Sequence, residues 1–145
     1  MKIQAQDFYH GAALTQIVEH ESFKALNKGS ARYGHYLINA DCHLFIRYSA
    51  NDNSPWSFTL TSEQLQGISN IAESQASLFI GLVCGETTIC LLSQDQLSQL
   101  IDIASADSQW IKVDSPPNSS CRVSGSTGRL KNVIAHNAFP KSLFE

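Results

Sequence analysis

The sequence predicts an α+β fold: a single mixed β-sheet with about three helices packed on it, in the order α-β-β-β-α-β-β-α-β-(β). Three observations carry this. Two segments, Thr61-Ser62-Glu63-Gln64 and Ser93-Gln94-Asp95-Gln96, open with the same helix-start pattern, and each leads into an apolar stripe. Aromatic and β-branched residues flank the short turn Asn39-Ala40-Asp41, as in a β-hairpin. Two nearly continuous apolar runs, Leu78–Cys84 and Thr88–Leu92, are split by Gly85-Glu86, which suits strands covered on both faces.

The first element is a helix expected from Phe8 to Val18, with Asp7 as its N-cap. Tyr9, Ala13, Leu14, Ile17 and Val18 recur at helical spacing, and Gly11 weakens the segment by the usual propensity penalty. After a loop at residues 27–30, strands are expected over Arg32–Asn39 and Cys42–Ser49. A polar loop, Asn51 to Pro55, leads to a third strand, Trp56–Leu60, whose apolar residues alternate with Ser57 and Thr59. In the two capped helices, Leu65, Ile68 and Ala72 form one stripe, and Leu97, Leu100, Ile101 and Ala104 the other. Later strands fall at Trp110–Val113 and Cys121–Ser124, the second followed by the turn Gly125-Ser126-Thr127-Gly128. Leu130–Ala135 fits a strand or one helical turn. The tail Phe139–Phe144 is apolar enough to dock on the rest of the chain.

A chain of 145 residues is one globular domain, 1–145, by length. At that size a core needs no disulfide or metal. The four cysteines, at 42, 84, 90 and 121, form no Cys-x-x-Cys pair and read as reduced thiols. The first residues hold no apolar stretch of signal-peptide length, and no run approaches a membrane span, so a cytoplasmic protein is expected.

The net charge is −3, and it is unevenly spread. Residues 62–109 carry Glu63, Glu73, Glu86, Asp95, Asp102 and Asp107 with no Lys or Arg. Residues 110–145 carry Lys112, Arg122, Arg129, Lys131 and Lys141 against Asp114 and Glu145. Such polarity can orient a charged partner, whereas the overall acidity argues against indiscriminate nucleic-acid binding.

Motifs that announce chemistry are missing. Adjacent strand residues point to opposite faces, so Cys42-His43 makes no nucleophile–base dyad without distortion. Cys84 and Cys90 sit in apolar runs, where a free thiol packs as a small hydrophobe. His35, Asp41, Cys42 and His43 crowd one hairpin but lack paired zinc-ligand spacings. Gly125–Gly128 lacks the Gly-Lys-Ser/Thr ending of a phosphate loop, and no dinucleotide fingerprint occurs. No cofactor is expected. Arg47, which follows three apolar residues on a strand, needs a carboxylate, a phosphate or an aromatic face. It either anchors a partner or serves the fold, capping a loop carbonyl or pairing with Asp52 or Glu63. Trp56 begins the strand that follows Ser54-Pro55.

The run LFIRYSANDNSPWSFTL, residues 44–60, resembles a segment found in small bacterial proteins. The order of elements resembles the core of the restriction-endonuclease-like superfamily. That resemblance implies an acid on the second strand and a Glu-x-Lys or Asp-x-Lys pair on the third, holding magnesium. Here the second strand offers only Asp41 at its edge, and Trp56–Leu60 has neither acid nor lysine. What the resemblance then implies is a degenerate relative that binds without cutting.

These readings converge on a non-catalytic module that binds a protein partner. The alternatives are a nucleic-acid-binding, nuclease-derived domain and a small enzyme using Cys42, His43 or His35. The candidate binding residues are Arg32, Arg47, Trp56, Arg122, Arg129 and Lys131. No membrane partner is expected, and nothing in the sequence signals an oligomeric state.

Overall fold

A computed structural model describes residues 1–145. Helix α1 (Ala5–Val18) is followed by strands β1 (Leu26–Lys28), β2 (His35–Ile38), β3 (Cys42–Ser49) and β4 (Trp56–Leu60). Helix α2 (Ser62–Glu73), strands β5 (Ser77–Cys84) and β6 (Thr88–Ser93), and helix α3 (Gln94–Leu100) come next. Strands β7 (Gln109–Asp114) and β8 (Arg122–Gly125), the short helix α4 (Ala138–Lys141) and a 3₁₀ turn (Ser142–Phe144) complete the chain. The fold is α+β, as predicted.

The expected single sheet is two. One has five strands in the order β1-β2-β3-β5-β6, and the other has three in the order β4-β7-β8. Within the larger sheet β3 and β5 run parallel, and the other pairs are antiparallel. A parallel pair needs a crossover, and residues 50–76, holding β4 and α2, supply it. The strand after the hairpin therefore leaves the sheet, and β4 pairs with β7 from Trp56↔Val113 to Leu60↔Gln109.

Both faces of β5 and β6 are buried, which accounts for their unbroken apolar runs. Leu78, Ile80, Leu82, Cys84, Cys90 and Leu92 point to one side, into a core shared with Phe45, α2, α3 and the small sheet. Cys42, Leu44, Ile46, Val83, Ile89 and Leu91 point to the other, against Ala13 and Ile17 of α1 and Phe139 and Leu143 of the tail. The tail thus docks as its composition predicted. Each fully buried Leu or Ile here contributes roughly 1.5–3 kcal/mol.

Local details depart from the sequence reading for identifiable reasons. Helix α1 starts earlier, capped at Gln4, and Asp7 acts from inside the first turn, its carboxylate accepting from the Gln4 amide at 2.9 Å. The inward face of α1 is His10, Ala13 and Ile17, and Val18 lies outside. Both capping boxes form: the Gln64 amide donates to Thr61 Oγ at 3.2 Å, and that of Gln96 to Ser93 Oγ at 3.3 Å. Helix α3 stops at Leu100, so Ile101 is extended and Ala104 is no part of its stripe. The turn after β8 ends it. Thr127 N donates to Leu100 O at 2.9 Å, and a Cβ on Gly125 or Gly128 would strike the Leu100 or Gln99 carbonyl oxygen. Leu130–Ala135 is neither helix nor ladder; isolated bridges join Ile134 to Cys121 and Arg129 to Ser124. No helix is long and apolar enough to cross a membrane.

Candidate functional site

The small sheet has one face in the core and one open, by simple alternation. Trp56, Phe58 and Leu60 of β4, Ile111 and Val113 of β7, and Val123 of β8 point inward. Trp110, Lys112 and Arg122 are left exposed on the outer side, with Asp114 and Ser124 half-buried beside them. Register places Lys112 opposite Ser124 and Asp114 opposite Arg122. Past the Gly125–Gly128 turn the chain folds back, and the Ser124–Arg129 bridge with Leu130 N→Val123 O holds it along the edge of β8.

The result is an open groove of about 610 Å³, lined in part by Lys112, Arg122, Arg129 and Lys131. Asp114 is its single acid, and Asp114 Oδ1 already accepts from Ser54 Oγ at 2.9 Å. None of the four cations is in an ion pair; the two in the chain are Arg32–Glu63 and Lys141–Glu145. Trp110, 47% exposed, stands two residues from Lys112 on the same face, and Val133, 50% exposed, lies at the groove. No histidine or cysteine lines it. It can hold an anionic surface by charge, with apolar contacts beside it.

Three of the sequence-predicted binding residues, Arg122, Arg129 and Lys131, are therefore brought together, and Lys112 joins them across β7 and β8. Arg32 and Arg47 are not there: they line a separate cavity beside α1 and the start of α2. Trp56 is corrected outright. It is 1% exposed, its indole N–H donates to Asn51 O at 2.9 Å, and it belongs to the main core. Its position at the inward phase of a half-buried strand required this.

The thiols and imidazoles are likewise accounted for. Cys42 faces α1 while His43 faces the opposite side, 2.9 Å from His35 through Nδ1 and Nε2. His35 is buried, stacks on Phe45 at 4.1 Å and has Ser30 Oγ at 2.8 Å. Burial, then the neighbouring His43, lowers its pKa to about 4. Cys121 was not singled out in the sequence. The neighbouring Cys90 thiol, with smaller help from His136, lowers its pKa to about 7 against the effect of burial, and its side chain is fully buried. His136 is engaged at both nitrogens, Nε2 donating to Ser119 O at 2.8 Å and Nδ1 lying 2.7 Å from Thr88 Oγ. No three His, Cys, Asp or Glu side chains converge as metal ligands would.

Comparison with known protein families, with curated proteins and with solved structures found no match.

Proposed function

We propose that this chain is a non-catalytic interaction module whose basic groove binds an acidic segment of a partner protein. The observation that carries the reading is the convergence of Lys112, Arg122, Arg129 and Lys131, none of them ion-paired, around one open groove. Four exposed cations held close together repel one another, and an acidic partner relieves that. Exposed Trp110 and Val133 add the apolar area that charge alone lacks. Four free, buried thiols fit a reducing, cytoplasmic setting.

The same cations would also suit phosphates, so nucleic acid is the second reading. Against it stand Glu63, Glu73, Glu86, Asp95, Asp102 and Asp107, all exposed, and a net charge of −3. A long polyanion would meet that repulsion, whereas a short acidic segment would not.

The test is affinity capture from native lysate, split into nuclease-treated and untreated halves. A protein recovered equally from both, and lost with Arg122, Arg129 and Lys131 replaced by alanine, supports the protein-binding reading. A partner that disappears with nuclease moves the groove to nucleic acid. In that case affinity must fall with salt, with a log–log slope of about −3 to −4 for four phosphate contacts on duplex.

A further inference from the structure

Arg47 has a different predicament from the groove cations. It sits on β3 beside the larger core and is half-buried, yet forms no ion pair with Asp52, Glu63 or any other carboxylate. Its Nη1 donates to the Ile46 carbonyl at 2.9 Å, and its Nε is buried without an acceptor. A buried charged donor left unmatched costs more than a neutral one. The Nη1 bond leaves the Nε–Nη2 edge without a partner inside the chain. That edge is the one that grips two oxygens of a carboxylate or phosphate at once.

The surroundings make a cavity of about 500 Å³ at this guanidinium. Arg32 lines it from the loop before β2, and Tyr33 and Tyr48 are its partly exposed rings, 50% and 37% accessible. Tyr48 is stacked on Tyr9 at 4.6 Å, and Tyr33 packs on His10 at 4.6 Å. Two glycines keep the space around the arginines. Gly34, at φ +87°, would with a Cβ stand 3.1 Å from Arg47 Nη1; Gly67, inside α2, would stand 3.2 Å from the Arg32 side chain. A mid-helix glycine weakens a helix, and here it leaves room for a cation. His10, buried and next to Arg47, adds no second charge: burial first and Arg47 second lower its pKa to about 4.

One acid lines the cavity, and a second, Asp7, stands behind Tyr33 and accepts from its hydroxyl at 3.3 Å. Glu63 at the rim lies 3.4 Å from Arg32, but its side chain is 80% exposed. An exposed pair of that kind contributes little, so it yields to a better-placed anion.

We propose that this cavity is a second binding site, which takes a single oxyanion, phosphate or carboxylate, between Arg47 and Arg32. The flanking tyrosines favour an anion borne on a flat or aromatic group. The site is separate from the basic groove and stands or falls independently of it. The test follows the Arg47 Nε–H resonance in ¹⁵N-labelled full chain while inorganic phosphate, phenyl phosphate or benzoate is added. The expected result is a saturable shift, weakened about ten-fold or more in Arg32→Gln; in Arg47→Lys, which keeps charge but loses both the fork and the reporter, the same loss is read on the backbone amides of Tyr33 and Tyr48. Response to the phosphates alone assigns phosphate, and response to benzoate alone assigns carboxylate. A folded wild type that gives no saturable shift with any of the three overturns the site. So does undiminished affinity in Arg32→Gln, whose exposed side chain makes it the variant certain to be informative if Arg47→Lys fails to fold.

Discussion

At the residue scale, the buried imidazoles make the sharpest prediction. His10 and His35 are 4% and 3% exposed, and each has its pKa lowered from 6.5 to about 4. In both cases burial is the largest cause; Arg47 acts on His10 next, and His43 on His35. A depressed base binds fewer protons folded than unfolded, so stability must rise with pH wherever the unfolded chain is the more protonated. The contribution is complete above pH 6.5 and is lost as pH falls toward 4. A full shift of this size corresponds to at most about 3 kcal/mol per histidine. Urea midpoints at pH 7.5 and 4.5 should therefore differ strongly, and His35→Leu should flatten the difference. A pH-independent midpoint over that window would show that neither ring is held neutral by the fold.

Trp56 belongs to the same scale with the opposite lesson. An aromatic residue opening a strand can serve a surface or a core, and composition does not choose between them. Phase does: Trp56 shares the inward phase of Phe58 and Leu60, with Ser57 and Thr59 outside. Trp56→Ala should cost about 3–5 kcal/mol in a denaturation experiment, the usual toll of an emptied aromatic site. A change under 1 kcal/mol would contradict its place in the core.

At the element scale, what was legible was local. Capping boxes at Thr61 and Ser93, the hairpin around Asn39-Ala40-Asp41 and the alternation of β4 each depend on residues a few positions apart, and each formed. What was hidden depends on partners. Alternation tells which side of β4 is buried but not which strand lies beside it, so its departure to the second sheet could not be read. Strand β1 is three residues long, with too few positions for a period to show. Helix α3 was overextended because Ile101 and Ala104 continue its spacing, whereas the Gly125–Gly128 turn packs on its last carbonyls and ends it. That seating needs the glycines. Gly125→Ala would drive a methyl into the Leu100 carbonyl and should destabilise by about 1–3 kcal/mol, as overpacking does. Circular dichroism melts would check it, and an unchanged midpoint would mean that the turn does not clamp α3.

At the scale of the whole molecule, the charge pattern matters most. The basic groove was legible because Arg122, Arg129 and Lys131 are near in sequence and a β-turn was expected between the first two. Lys112 joins them only through the β7–β8 register. The Arg47 cavity was half legible: Arg47 stood out on its strand, but His10, Tyr33 and Tyr48 reach it from separate segments that no spacing rule links. The acidic residues of α2, α3 and the β5–β6 turn are all exposed, while the basic groove holds a single acid, Asp114. A cationic groove on a net-acidic chain orients an approaching partner and makes association rates sensitive to salt.

The measurement that bears most directly on the central claim compares two variants against the partner captured from lysate. One removes Arg122, Arg129 and Lys131, and the other removes Glu73, Glu86 and Asp95, each by alanine. With exposed pairs worth about 0.2–1 kcal/mol apiece, the first should weaken binding by roughly three-fold to a hundred-fold at low salt, and the second should leave it unchanged. Equal affinity of the first variant and the wild type would contradict the groove as the binding surface.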